Sequence, residues 1–108
     1  MKELNQKNFD KETLKNKTPT IIDFWADWCI PCKMLSPILN ELAKFYGKRI
    51  MFAKVNTEKE PELVAKFAIE GIPTLLVMDK GEVIDRIVGF APKDIMKKKI
   101  DDILLKIK

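Results

Sequence analysis

The sequence predicts an α/β fold: a mixed central sheet of four to five strands with helices on both faces, in one domain spanning residues 1–108. Three observations carry this prediction. Short β-branched and aromatic runs alternate with stretches whose apolar residues recur at helical spacing, the pattern of strands joined by crossover helices. A glycine-bearing turn at Gly81 joins the last two such runs, which makes the sheet mixed. With 108 residues, 46% hydrophobic and 8% aromatic, the chain can build one core, and no repeat or linker divides it.

The elements follow in order. Residues around Glu3–Leu4 suit a short edge strand, and Asn8 or Asp10 can cap a short helix running to about Lys15. Thr20–Ile21–Ile22–Asp23–Phe24–Trp25 reads as a buried strand in which Asp23 is the one discordant residue. From Pro31 the period changes, and Leu35, Ile38, Leu39, Leu42, Ala43 and Tyr46 fall at helical spacing. Pro31 suits the first turn of that helix and Gly47 its stop, while Pro37 removes one internal hydrogen bond and is expected to kink it. Ile50–Met51–Phe52–Ala53–Lys54–Val55 is a second strand, followed by a helix through Leu63, Val64 and Phe67. Thr74–Leu75–Leu76–Val77–Met78 is a third. Asp79–Lys80–Gly81–Glu82 reads as a hairpin turn, Gly81 supplying a positive φ, and Val83–Val88 as the antiparallel partner. A closing helix, starting near Pro92–Lys93–Asp94, puts Met96, Ile100, Ile103, Leu104 and Ile107 on one face.

Composition narrows the functions available. The net charge of +4 comes from 20 Lys+Arg against 16 Asp+Glu, and only Arg49 and Arg86 are arginines. Bidentate recognition of phosphates and bases favours arginine, so no nucleic-acid partner is expected. Lys97–Lys98–Lys99 reads as the solvated face of the last helix. The opening residues hold no apolar stretch able to act as a signal peptide or a span, so the expectation is a soluble, cytoplasmic protein with no membrane partner; a monomer is expected as well. Histidine is absent, which removes Cys–His and Ser–His catalysis and imidazole metal sites together.

The chemistry concentrates at Cys29 and Cys32, the only cysteines, two residues apart at the entrance to a helix. The first turn of a helix offers unsatisfied N–H groups and the positive end of its dipole. A sulfur there is stabilised as a thiolate, with a pKa below the free value of about 8.5. Cys29, just before Pro31, is the candidate attacking sulfur; Cys32, turned inward within disulfide reach, is the candidate resolving one. The same spacing makes half of a zinc site, but four ligands are needed and neither a histidine nor another cysteine is present, so no metal is expected. In a reducing compartment a structural disulfide is uncommon, whereas a pair oxidised and reduced in turn fits.

Asp23 asks for its own explanation. A carboxylate in a buried strand is unfavourable unless it is paired or protonated, so its pKa should rise toward the range of a neutral-pH acid–base. Cys32 must lose a proton before it attacks, and Asp23 could accept it, directly or through water. Alternatively Asp23 sits hydrated near the sheet end or pairs with Lys54. Both readings stay open on sequence alone.

The segment Trp25–Ala26–Asp27–Trp28–Cys29–Ile30–Pro31–Cys32–Lys33 closely resembles the active site of the thioredoxin family. The likeness continues over nearly the whole chain: Asp23–Phe24–Trp25 resembles the family's buried acidic strand, Lys54–Val55–Asn56 its second core strand, Gly71–Ile72–Pro73–Thr74 its cis-proline loop, and Gly81 and Gly89 fall where family glycines do. The resemblance implies the thioredoxin fold and a protein-disulfide reductase that needs no cofactor beyond a Cys29–Cys32 disulfide. It implies Asp23 and Lys54 as helpers to the cysteines, and a cis Ile72–Pro73 bond packed on the sulfurs. Trp28, Ile30, Pro31, Ile72, Pro73 and Gly89 would then form a shallow apolar surface for substrate, with the Ile72 backbone holding an extended strand. The implied partners are disulfide-containing target proteins and an electron donor of the thioredoxin reductase type. Two departures stand out. Ile30 occupies a position where the family usually has glycine, and Glu70 adds negative charge before the proline loop. Either could shift the redox potential, about 30 mV for ~1.4 kcal/mol, toward a glutaredoxin-like or isomerase-like carrier of the same fold.

Overall fold

A computed structural model describes residues 1–107 and gives the order β1 (Lys2–Glu3), α1 (Phe9–Lys15), β2 (Thr20–Trp25), α2 (Ile30–Tyr46), a 3₁₀ turn (Gly47–Arg49), β3 (Met51–Asn56), α3 (Pro61–Lys66), β4 (Thr74–Asp79), β5 (Glu82–Val88) and α4 (Lys93–Leu104). The five strands lie in the order β1-β3-β2-β4-β5. β1 and β2 run parallel to β3, and β4 runs antiparallel to both β2 and β5. This is the mixed α/β sheet of the thioredoxin fold.

β2 is the centre of the sheet, and its side chains alternate between two cores. Ile21 joins Leu35, Leu39 and Leu42 of α2 and Met96, Ile100 and Ile103 of α4 on one face. Ile22 and Phe24 join Phe9 of α1 and Leu63 and Phe67 beside α3 on the other. Asp23 therefore points to the α2 side, with Ile21, and is in register with Lys54 of β3. The sheet is thus covered on both faces, and the start of α2 meets the carboxyl end of β2.

Local chemistry explains the element ends. The turn between β4 and β5 has positive φ at both Lys80 (53°) and Gly81 (82°), the primed geometry that matches strand twist. Gly47, at φ 57°, closes α2 with its N–H on the Ala43 carbonyl, and α2 runs through Pro37 without ending. Three expectations are corrected. β1 is Lys2–Glu3, not Glu3–Leu4, although the Leu4 N–H still bonds the Lys54 carbonyl at 2.8 Å while its side chain turns into the core. α1 starts beyond Asn8, but no side chain caps it; Asn8 Oδ1 accepts instead from the Asn5 N–H at 2.8 Å. α4 ends at Leu104, so Ile107 lies past the helix, where N–H groups bond carbonyls three residues back.

The lysine run on α4 is solvated and partly paired. Lys97 and Lys98 meet Asp101 and Asp102 at one-turn spacing, 2.8 and 3.1 Å away. Asp101 also accepts the Tyr46 hydroxyl at 2.6 Å, tying the end of α2 to α4. Burial and that bond push the Tyr46 phenol up.

Candidate active site

Cys29 is the residue that caps α2, and it does so with its sulfur. Its extended backbone (φ −88°, ψ 104°) turns the chain into the helix, and Sγ accepts the Cys32 N–H at 3.2 Å. Ile30 and Pro31 form the start of the helix, and the first turn holds no acidic residue to oppose negative charge on sulfur. Cys29 and Cys32 are joined as a disulfide, with their Cα atoms 5.2 Å apart. Each is only 3% exposed, so accessibility does not separate an outer sulfur from an inner one.

The surroundings are arranged around this pair. Trp28 and Ile30 are 68% and 69% exposed beside the buried disulfide. Ile72 packs against the cluster of Ala26, Cys29 and Cys32, and the Ile72–Pro73 bond is cis. The Pro73 carbonyl accepts the Gly89 N–H at 2.8 Å, which brings the end of β5 against the proline loop; Gly89 has φ 91°, a conformation glycine adopts without strain. Trp28, Ile30 and Pro31 are thus next to the disulfide in sequence, Ile72 packs against it, and Pro73 ties Gly89 to the proline loop. Glu70 lies apart, lining a different depression with Arg86 and Val88.

Behind Cys32 lies a cavity of about 160 Å³ whose walls include Asp23, Trp25, Cys32, Ser36 and Lys54. Asp23 is 3% exposed and its Oδ1 has no hydrogen-bond partner. Burial pushes its carboxyl from an ordinary 3.8 up to about 7, against the opposing pull of the Lys54 charge. Lys54 does not close onto it as an ion pair; its Nζ sits 5.4 Å from the centre of the Trp25 ring. Asp23 is thus a buried carboxyl on the α2 side of the sheet, at the wall of that cavity. Ser36 escaped the sequence reading. Its one signal was its place four residues after Cys32, on the same helix face.

Among the described residues, no group of three or more His, Cys, Asp or Glu side chains is placed to hold a metal, and no helix is long and apolar enough to cross a membrane.

Comparison with known proteins adds a second line of information. A family model for thioredoxin matches residues 1–102. The chain is 40% identical over 100 residues to a protein named thioredoxin from Chlorobaculum thiosulfatiphilum, covering 93% of each chain. It is 39% identical over 100 residues to thioredoxin 2 of Chlorobaculum tepidum, covering 93% of this chain and 92% of that one. It is 42% identical over 101 residues to the chloroplastic M-type thioredoxin of Brassica napus, covering 94% of this chain and 57% of that one.

Proposed function

The chain belongs to the thioredoxin family and is a thiol–disulfide oxidoreductase whose redox group is its own Cys29–Cys32 pair; on that premise we propose that Cys29 attacks disulfides in target proteins and Cys32 resolves the intermediate. The observation that carries the assignment is the helix cap. Cys29 Sγ already accepts an amide N–H at the positive end of α2, so the charge of a thiolate there meets a donor and a favourable dipole.

In the first step the Cys29 thiolate bonds to one sulfur of the target disulfide, and the other target sulfur leaves as a thiolate that takes a proton from solvent. In the second, Cys32 gives its proton to Asp23 and attacks Cys29 Sγ. The Cys29–Cys32 bond forms, the bond to the target breaks, and the target departs with two electrons. Asp23, at about 7, is matched to that transfer near neutral pH, and Lys54 steadies its charged form. Trp28, Ile30 and Pro31 on one side and Ile72, Pro73 and Gly89 on the other form the contact surface, with the Ile72 backbone taking the target as an added strand. An external dithiol donor of the thioredoxin reductase type returns the electrons. We further propose residues 1–108 as one domain acting as a monomeric electron carrier in the cytoplasm, without nucleic-acid or membrane contacts.

Trapping tests this directly. Cys32→Ser should accumulate mixed disulfides with target proteins, and Cys29→Ser should not. If both variants reduce insulin as well as the parent does, the assignment fails. Relatives named as thioredoxins do not favour a glutaredoxin-like or isomerase-like carrier, and equilibration against a glutathione buffer separates these alternatives by potential.

A further inference from the structure

Asp23, Trp25, Cys32 and Ser36 are among the residues that line the cavity. Asp23 Oδ1 and Trp25 Nε1 are buried without a hydrogen-bond partner. Ser36 lies one helical turn beyond Cys32, so the two side chains lie on the same face of α2. A serine or threonine inside a helix commonly bonds back to a carbonyl three or four residues earlier. Thr13 does so, donating to the Phe9 carbonyl at 2.9 Å. Ser36 makes no such bond among the described residues, which leaves its O–H for the cavity. The charged groups on the walls are Asp23 from β2, Lys54 from β3, Asp27 from the turn before α2 and Lys33 from α2 itself, with Met1 beside them.

We propose that Ser36 is a positioning residue for the resolving step, its hydroxyl linking the Cys32 thiol to the Asp23 carboxylate directly or with water in the cavity. The proposal rests on Cys32 as resolving sulfur and Asp23 as its base. A thiol is a weak donor and a carboxylate accepts only, whereas a hydroxyl does both. As the Cys32 S–H bond breaks, the hydroxyl oxygen takes that proton and releases its own to Asp23, so the serine ends neutral. The Cys32 thiolate then forms its bond to Cys29 and the target thiolate leaves. No electron passes through Ser36. The volume suffices for water to complete the path, since one water needs only about 10–15 Å³ of such space.

The test uses the reduced full chain and dithiobis-nitrobenzoate, a chromogenic disulfide that releases one coloured thiolate on attack by Cys29 and a second on resolution by Cys32. Ser36→Ala should slow the second release about tenfold near neutral pH and leave the first within about twofold. The gap should close in alkaline solution, where Cys32 ionises without help, and Ser36→Thr should restore the parent rate. An Ala variant with an unchanged second phase overturns the proposal. So does slowing that persists at alkaline pH, or a Thr variant as slow as Ala, since either marks a merely structural effect. A parent with no second release refutes the reading of Cys32 itself, and an Asp23→Asn variant with an unaltered second phase refutes the base, so each failure is told apart.

Discussion

Asp23→Asn converts the buried carboxyl into a measurement of its own burial. In the folded protein Asp23 titrates at about 7, raised from 3.8 by desolvation and held back by Lys54. A carboxyl whose folded value is raised binds a proton in the native state that the unfolded chain has already lost. Its contribution to stability is therefore complete below about 3.8, declines as pH rises, and is gone above about 7. Each pH unit in that interval is worth about 1.4 kcal/mol, so the whole interval amounts to about 4 kcal/mol.

Asparagine has nearly the same shape and does not titrate. The stability of Asp23→Asn relative to the parent should thus climb by about 1.4 kcal/mol per pH unit between about pH 4 and 7 and then level off. The assay is urea unfolding of both oxidised proteins across that range, with the difference taken at each pH so that all other titrating groups cancel. Any constant offset from burying an amide leaves the slope untouched. A difference that stays flat, or that falls with rising pH, would mean that Asp23 is charged or hydrated at neutrality, and the acid–base role would go with it.

Other predictions concern the frame that holds the site. Ala68 sits at φ 51° just past α3, where the Ile69 N–H bonds the Val64 carbonyl at 3.0 Å, so Ala68→Gly should relieve the strain and raise stability by about 0.5–1 kcal/mol by chemical denaturation. Leu39 is fully buried between α2, the sheet and α4, and Leu39→Ala should lower stability by about 2–5 kcal/mol, read as a lower urea midpoint at unchanged slope.

The sheet and α2 were legible because their signals are periodic and long. Thr20–Trp25 was found to the residue, since a β-branched and aromatic run at the sheet centre has no competing reading. Element ends were less so. Leu4 and Ile107 fit the apolar pattern of their neighbours, but a strand or helix stops where its backbone hydrogen bonds stop, and pattern does not report those. The cysteine spacing announced the redox site, and Asp23 was visible as an anomaly. Which face of the sheet Asp23 points to depends on where β2 lies in the sheet, which a single strand does not encode. Ser36 was silent because one serine in an amphipathic helix reads as surface.

What distinguishes the two cysteines is field and not access. Both are 3% exposed, yet they stand in opposite electrostatic settings. Cys29 receives an N–H at the positive end of a helix, so its anion is favoured before any substrate arrives. Cys32 lines a cavity that the buried Asp23 carboxyl also lines, and two negative charges in so small a space repel. In the proposed mechanism Cys32 therefore ionises by handing its proton to Asp23, not alongside it. That coupling would order the proposed reaction: the first sulfur is ready, and the second becomes ready only when a mixed disulfide gives its proton transfer a use. The burial that makes Asp23 unfavourable for stability above neutral pH is the same burial that would make it a base strong enough for this step.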